Sequence, residues 1–234
     1  MIDDGKLLAI IAARGGSKRL PRKNVLDLHG KPMIAWSIQA GLQSKYVDRV
    51  VVTTDDEEIA DVSRRYGASV PFMRPDDLSS DDATSLDVVR HAVKSLGESY
   101  KYIILLQPTS PLRESKHIDG AVEFLMQKNA DGVIGVSEVE HPVEWTNVLS
   151  DDLSMNGFLS SDVVGKRSQD FPKRYRINGA IYLCDIEKML YENTFFMEQG
   201  CYAYRMERES SIDVDEEVDF ILAASFLGRK YGSV

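Results

Sequence analysis

A chain of 234 residues with 43% hydrophobic and 28% charged residues has the length of one domain with a single core, burying about 70–75% of its unfolded surface without a metal or disulfide staple. Its net charge of −9 argues against nucleic-acid binding, which leaves a basic face across a domain, and no apolar run approaches the roughly 18–20 residues of a membrane span. The acidic start Met1-Ile2-Asp3-Asp4-Gly5 lacks the basic n-region of a signal peptide, and Cys184 and Cys201, without C-x-x-C or zinc spacing, read as reduced thiols, so a cytoplasmic protein is expected.

Short apolar runs alternate with helical patterns in chain order. Strands are predicted at Leu7–Ala13, Arg49–Thr53, Ala68–Phe72, Tyr102–Leu106 and Gly132–Val136. Helices are predicted at Pro32–Ser44, Asp56–Tyr66, Ser85–Leu96 and Ser115–Lys128. The rhythm is βαβ, and continuous runs such as Val50-Val51-Val52 suit parallel strands covered on both faces, so an α/β fold with a mostly parallel sheet follows. Between Ser137 and Tyr175 the rhythm breaks into polar sequence punctuated by Pro142, Gly157, Gly165 and Pro172, with two short apolar patches, which reads as an insertion within a single domain. The core resumes with a strand at Asn178–Leu183, a helix near Asp185–Tyr191, a strand near Tyr202–Met206 and a last helix from Glu216 to about Phe226.

Function gathers where these strands end, since ligands of such sheets collect beyond the strand carboxyl ends. The first strand feeds Arg14-Gly15-Gly16-Ser17-Lys18-Arg19-Leu20-Pro21-Arg22-Lys23-Asn24, five cations on a glycine-containing loop in an acidic protein. Such a loop is either solvated or faces an anion, and its glycines let backbone N–H groups approach phosphate oxygens. Neither the P-loop pattern nor G-x-G-x-x-G is present. Gln107-Pro108-Thr109-Ser110-Pro111-Leu112-Arg113 reads as a rigid turn in which Gln107 and Arg113 offer donors for hydroxyls and carboxylates. Lys173, Arg174 and Arg176 stand at the entrance of a strand, where a guanidinium can grip a carboxylate, although a solvated basic turn fits as well. In Ser211-Ile212-Asp213-Val214-Asp215 the two carboxylates share one face of extended chain, which suits Mg²⁺, and Asp215 equally suits a helix N-cap. His29, His91, His117 and His141 form no ligand spacing, and G-x-S-x-G is missing.

Taken in order, IAARGGSKRLPRKN, VVVTTDDEEIA, RPDDLSSDDATS, QPTSPLR, RINGAIY and SIDVDEEVD resemble the acylneuraminate cytidylyltransferases, the CMP-sialic acid synthetases, over essentially the whole chain. The resemblance implies a Rossmann-like three-layer fold with the 137–175 insertion as a dimerisation sub-lobe. It implies transfer of CMP from CTP to the anomeric hydroxyl of an acidic nine-carbon sugar, with release of pyrophosphate and Mg²⁺ as cofactor. Arg14, Gly15, Ser17, Lys23 and Asn24 would then hold the nucleotide and its phosphates, with Lys23, Asp215 and Arg14 central to catalysis. Thr84 and Ser85 would lie near the cytosine; Gln107, Arg176 and Tyr182 near the sugar; and Asp213 and Asp215 at the metal. Phe195 and Phe196, by themselves a core-like pair, correspond to residues that reach toward the other subunit's sugar pocket in a homodimer. Either Asp215 or a metal-bound hydroxide could take the anomeric proton.

Two departures from the family pattern bear on the acceptor. Glu144 stands where sialate-specific relatives carry Lys, and Ser168 moves Arg167 out of register. A related nonulosonate of legionaminic type is therefore expected. The alternatives are a cytidylyltransferase for a 3-deoxy-octulosonate, or a non-catalytic nucleotide-sugar binder, which would have little use for Lys23 together with Asp213 and Asp215.

Overall fold

The structure, a computed structural model, describes Ile2 and residues 5–232. Met1, Asp3 and Asp4, on which the reading of the acidic start partly rests, lie outside the described residues. Six strands form one sheet: β1 (Leu7–Ala12), β2 (Arg49–Thr53), β3 (Tyr102–Leu105), β4 (Gly132–Glu138), β5 (Tyr175–Asp185) and β6 (Cys201–Arg205). Their order is β2-β1-β3-β5-β4-β6, with β5 antiparallel to both its neighbours and every other pairing parallel. This single reversal positions chemistry. It brings the N-terminal end of β5, with Arg176 and Asn178, to the edge of the sheet where β1 and β3 deliver their carboxyl ends.

Alternation along the central strands builds two cores. Leu7, Ala9 and Ile11 face one side of the sheet and pack with Ile34 and Ile38 of α1 (Met33–Leu42), Ile59 and Val62 of α2 (Glu57–Arg65), and Ile118 and Val122 of α4 (Ser115–Lys128). Leu8 and Ile10 face the other side and meet Val89 and Ala92 of α3 (Ser85–Leu96) and Ile186 and Met189 of α5 (Ile186–Glu192). The result is a three-layer α/β sandwich, in which each fully buried Leu or Ile contributes about 1.5–3 kcal/mol. A third cluster, Leu28, Met33, Val214, Ala223 and Leu227, seats α6 (Glu217–Tyr231) beside the basic loop.

Three predicted elements are corrected. Ala68–Phe72 is not a strand: only Ser69 bridges to Val51, because Pro71 has no N–H to give and the next backbone bond to this edge is from the Arg74 N–H to the Thr54 carbonyl at 2.8 Å. The last helix continues to Tyr231, five residues beyond Phe226, running through Gly228 and ending at Gly232, which takes φ 87°. The insertion is shorter than Ser137–Tyr175, because β4 runs to Glu138 and β5 starts at Tyr175. Within it only Val143–Trp145 and Ser168–Asp170 form short 3-10 turns. No helix among the described residues is long and apolar enough to cross a membrane.

Candidate active site

A cleft of about 550 Å³ opens at the carboxyl ends of β1 and β3 and is lined by Arg14, Ser17, Lys18, Arg19, Lys23, Asn24, Arg74, Ser80, Asp81, Ser85, Gln107, Thr109 and Asp215. The basic loop forms its floor. Asn24 is buried and its side-chain amide donates to the Arg14 carbonyl at 3.1 Å, closing the loop on itself. Lys23 Nζ donates to Asp215 Oδ1 at 2.9 Å and to the Val214 carbonyl at 3.0 Å, and the Arg19 guanidinium stands 3.1 Å from Asp215 Oδ2. Lys23 thus joins segments 191 and 192 residues apart. On the opposite wall, Arg14 and Lys18 reach the two oxygens of Asp81 at 2.8 and 2.5 Å.

The acidic segment Asp213-Val214-Asp215 is fixed from both sides. Val214 is fully buried and its N–H donates to the Thr109 carbonyl at 2.7 Å, while Asp219 accepts the N–H of Asp215 and of Glu216. Glu216, not Asp215, is therefore the N-cap of α6, which leaves the Asp215 carboxylate free to face Lys23. The hydrogen bond from Lys23 holds the Asp215 carboxyl below the ordinary Asp range. Burial pushes Asp213 the other way, helped by the negative charge of Asp215 and opposed by a side-chain hydrogen bond from Thr109. Asp213 Oδ1 is buried without a hydrogen-bond partner. Two carboxyl groups in one strap, one readily ionised and one carrying an unsatisfied oxygen, form a donor set that fits a hard divalent cation. No cluster of three or more His, Cys, Asp or Glu residues that could hold a metal occurs among the described residues.

A second depression adjoins the cleft through Ser85 and is lined by Thr84, Tyr182, Asn193, Phe195 and Phe196. Tyr182 packs on Phe195 and Phe196, with ring centroids 5.6 and 6.1 Å apart. Gly179, at φ 74°, lets β5 pass so close to Gln107 that an added Cβ would collide with its side-chain oxygen. Arg176 sits at the same end of β5, its guanidinium donating to the Ser211 carbonyl at 3.4 Å.

The structure brings Arg14, Ser17, Lys23, Asn24, Ser85, Gln107 and Asp215 into one cleft, with Asp213 interacting electrostatically with Asp215 and Lys23 and lying near Arg176. Other candidate residues are placed elsewhere or engaged by neighbours. The Gly15 N–H is taken by Asp55 Oδ1 at 3.1 Å, and a Cβ there would lie 2.6 Å from Asp56 Oδ2, so Gly15 serves the close approach of two loops. Arg22 turns out of the cleft to Asp56 and Glu58 at the start of α2. Thr84 caps α3 through the Asp87 N–H and lines the second depression instead of the cleft. Phe195 is buried against Tyr182, while Phe196 remains half exposed. Arg113 is fully buried, donates to the Gln107 and Ala180 carbonyls and is pushed down to about 9 by burial; it braces the turn and does not line the cleft. Glu144 is engaged by Arg174 at 2.8 Å, Arg167 pairs with Asp170, and neither acid nor arginine lines the cleft.

The cytidylyltransferase family model matches residues 8–225, a span that contains the cleft and every residue named around it. The chain belongs to the cytidylyltransferase family. It is 38% identical over 226 residues to the N-acylneuraminate cytidylyltransferase of Escherichia coli O18:K1:H7, covering 96% of this chain and 53% of that protein. It therefore spans about half the length of the first curated relatives it matches. Against the pseudaminic acid cytidylyltransferase of Campylobacter jejuni it is 35% identical, covering 93% of this chain and 94% of that one. Against the CMP-N,N'-diacetyllegionaminic acid synthase of Legionella pneumophila the identity is 32%, with 95% and 96% covered. In fold it matches a CMP:2-keto-3-deoxy-manno-octonic acid synthetase solved with CTP, at a TM-score of 0.71 and 18% identity over 96% of this chain and 99% of that one.

Two residues of this family member's cleft escape the sequence reading. Arg74 is buried and spans the Ala13 carbonyl at 3.1 Å, Asp55 at 3.3 Å and the Ser79 hydroxyl at 3.1 Å, tying three loops together. Asp81 meets its cations from more than sixty residues away. Both stand in the RPDDLSSDDATS motif, but nothing local assigns a role to a single Arg before Pro75 or to one acid among several; the fold supplies the partners of each.

Proposed function

We propose that the chain is a CTP-dependent cytidylyltransferase that transfers CMP to the anomeric hydroxyl of a sialic-acid-like nonulosonic acid and releases pyrophosphate. The observation that carries this reading is the contact of Lys23 and Arg19 with Asp215, beside Asp213, at the mouth of a cleft that also presents Arg14 and Lys18. The arrangement opposes phosphate-binding cations to a candidate metal-binding carboxylate pair across one site, as phosphoryl chemistry requires. The anomeric oxygen attacks the α-phosphorus, the bond to the bridging oxygen breaks, and the pyrophosphate leaves with its charge met by Arg14, Arg19 and Lys23. The hydroxyl proton passes to the Asp215 carboxylate, which faces the cleft. Mg²⁺ held by Asp213 and Asp215, together with substrate phosphates, would neutralise charge at the reacting centre.

The second depression, with Tyr182 and Phe196, offers apolar faces suited to an acylated acidic sugar, while Gln107 of the adjoining cleft and Arg176 near the start of β5 supply donors. Glu144, paired with Arg174, leaves the choice among nonulosonates to this depression. The exposed apolar side chains of the 139–174 excursion suit cover by a second copy of the chain, giving a homodimer, and the working compartment is the cytoplasm. The test is Asp215→Asn, with turnover and thermal stability measured together. Loss of most activity in a folded variant supports the reading, and a near wild-type rate overturns it.

A further inference from the structure

Every cation lining the cleft already has a carboxylate: buried Arg74 has Asp55, outside the lining, and the other four share Asp81 and Asp215, two acids of the cleft itself that are held very differently. Asp215, facing Arg19 and Lys23, follows buried Val214 and has its backbone N–H held by Asp219. Asp81 belongs to the strap 79–84 between the turn Asp76–Leu78 and α3. Its side chain is half exposed, and both its oxygens are given to Arg14 and Lys18. The strap's other ties to neighbouring loops are an Arg14 bond to the Ser80 carbonyl at 3.3 Å and an Arg74 bond to the Ser79 hydroxyl at 3.1 Å. Ser80 and Asp81 line the cleft, so the carboxylate lies within the space where phosphate oxygens would meet these cations.

We propose that Asp81 is an internal competitor for the polyphosphate: its carboxylate occupies Arg14 and Lys18 until phosphate oxygens replace it, and returns to them as pyrophosphate leaves. The inference rests on the proposed function, because it needs an anionic polyphosphate in this cleft. A ligand that must first displace a carboxylate binds more weakly by the fraction of molecules in which the cations are released. Exposed pairs of this kind are individually weak and screened, so the effect is a modest, tunable loosening and not a block. For an enzyme that must release a tetraanionic product from a ring of cations, loosening of that size favours turnover over product retention. Asp82, the next residue, is exposed and takes part in neither pair.

Calorimetric titration of the whole chain with CTP, and separately with inorganic pyrophosphate, tests this in wild type, Asp81→Asn, Asp81→Glu and Asp82→Asn, alongside KM, kcat and the melting temperature. Asp81→Asn is expected to tighten both ligands by about three- to tenfold and to lower KM for CTP in step. Pyrophosphate should become a correspondingly stronger product inhibitor. Asp81→Glu should restore wild-type affinities, and Asp82→Asn should stay within about twofold, which separates local competition from a general change of field. Unchanged or weaker binding by Asp81→Asn, or equal tightening by Asp82→Asn, overturns the inference while leaving the cytidylyltransferase reading intact. Failure of the wild-type chain to bind CTP overturns both.

Discussion

The basic loop and the 139–174 excursion are both polar, glycine-containing and outside the sheet, yet they are held in opposite ways. In the loop the pairs are long-range: Lys23 to Asp215, Arg14 to Asp81 and Arg22 to Asp56 each bind a different element. In the excursion they are local, as with Arg167 and Asp170, or stand at its base, as with Glu144 and Arg174 and with Glu140, which meets Arg208 just beyond β6. Meanwhile Val148, Leu153 and Val164 are 89%, 70% and 64% exposed. A loop tied to three elements is organised before any ligand arrives. An excursion that leaves branched apolar side chains in water instead implies a surface to be covered.

The largest expected effect breaks the organised side of this contrast. Lys23→Ala should lower kcat/KM for CTP by at least about 2–3 kcal/mol, the scale for losing a charged stabiliser of the transition state. Lys18→Ala, whose ammonium is mostly solvated, should cost less. Steady-state kinetics with equal, small losses at both positions would return the loop to a merely solvated one. On the other side, replacing Val148 and Leu153 together by Glu should shift sedimentation from dimer to monomer, since each apolar side chain covered contributes about 1.5–3 kcal/mol. A chain that sediments as a monomer at micromolar concentration before any substitution, with full activity, would remove the excursion's assigned role.

Smaller effects sharpen the comparison within the core. Gly179→Ala forces a left-handed backbone on a Cβ that meets Gln107, and should cost about 1–2 kcal/mol in denaturant unfolding while raising KM for the sugar. Least in size is Asp213→Asn. Burial raises the folded-state pKa of Asp213, so a penalty appears as pH climbs through the unfolded value of roughly 3.9 and is complete above the folded one. The variant should therefore melt higher than wild type at neutral pH, with the gain vanishing in acid. A lower melting temperature at pH 7 would show that Asp213 is stabilised as the anion.

Legibility in the sequence followed the range of the interactions. Strands such as Leu7–Ala12 and Arg49–Thr53 declare themselves because burial on both faces writes a continuous apolar run. Ala68–Phe72 misleads for the same reason: apolar residues beside prolines resemble a strand, but the ladder needs N–H groups and a neighbour to pair with. At the site, Lys23, Asn24 and Asp215 are legible because local motif and charge inversion mark them. Arg113 shows the opposite, since a donor placed correctly in a motif is turned inward by two carbonyls that no local pattern reveals. Arg74 and Asp81 stand in the RPDDLSSDDATS motif, but their contacts emerge only where the strap and the loop meet.

Pyrophosphate release is the immediate readout of the proposed reaction. The chain should be incubated with CTP, Mg²⁺ and a panel of N-acetylneuraminic, diacetamido-nonulosonic and 3-deoxy-octulosonic acids, with each nucleoside triphosphate in parallel. CTP with a nonulosonic acid should yield pyrophosphate, with one equivalent of CMP-sugar per pyrophosphate, and Asp215→Asn should lose both products. CTP binding with no pyrophosphate released for any acid, or release only with the octulosonic acid, would contradict that reaction.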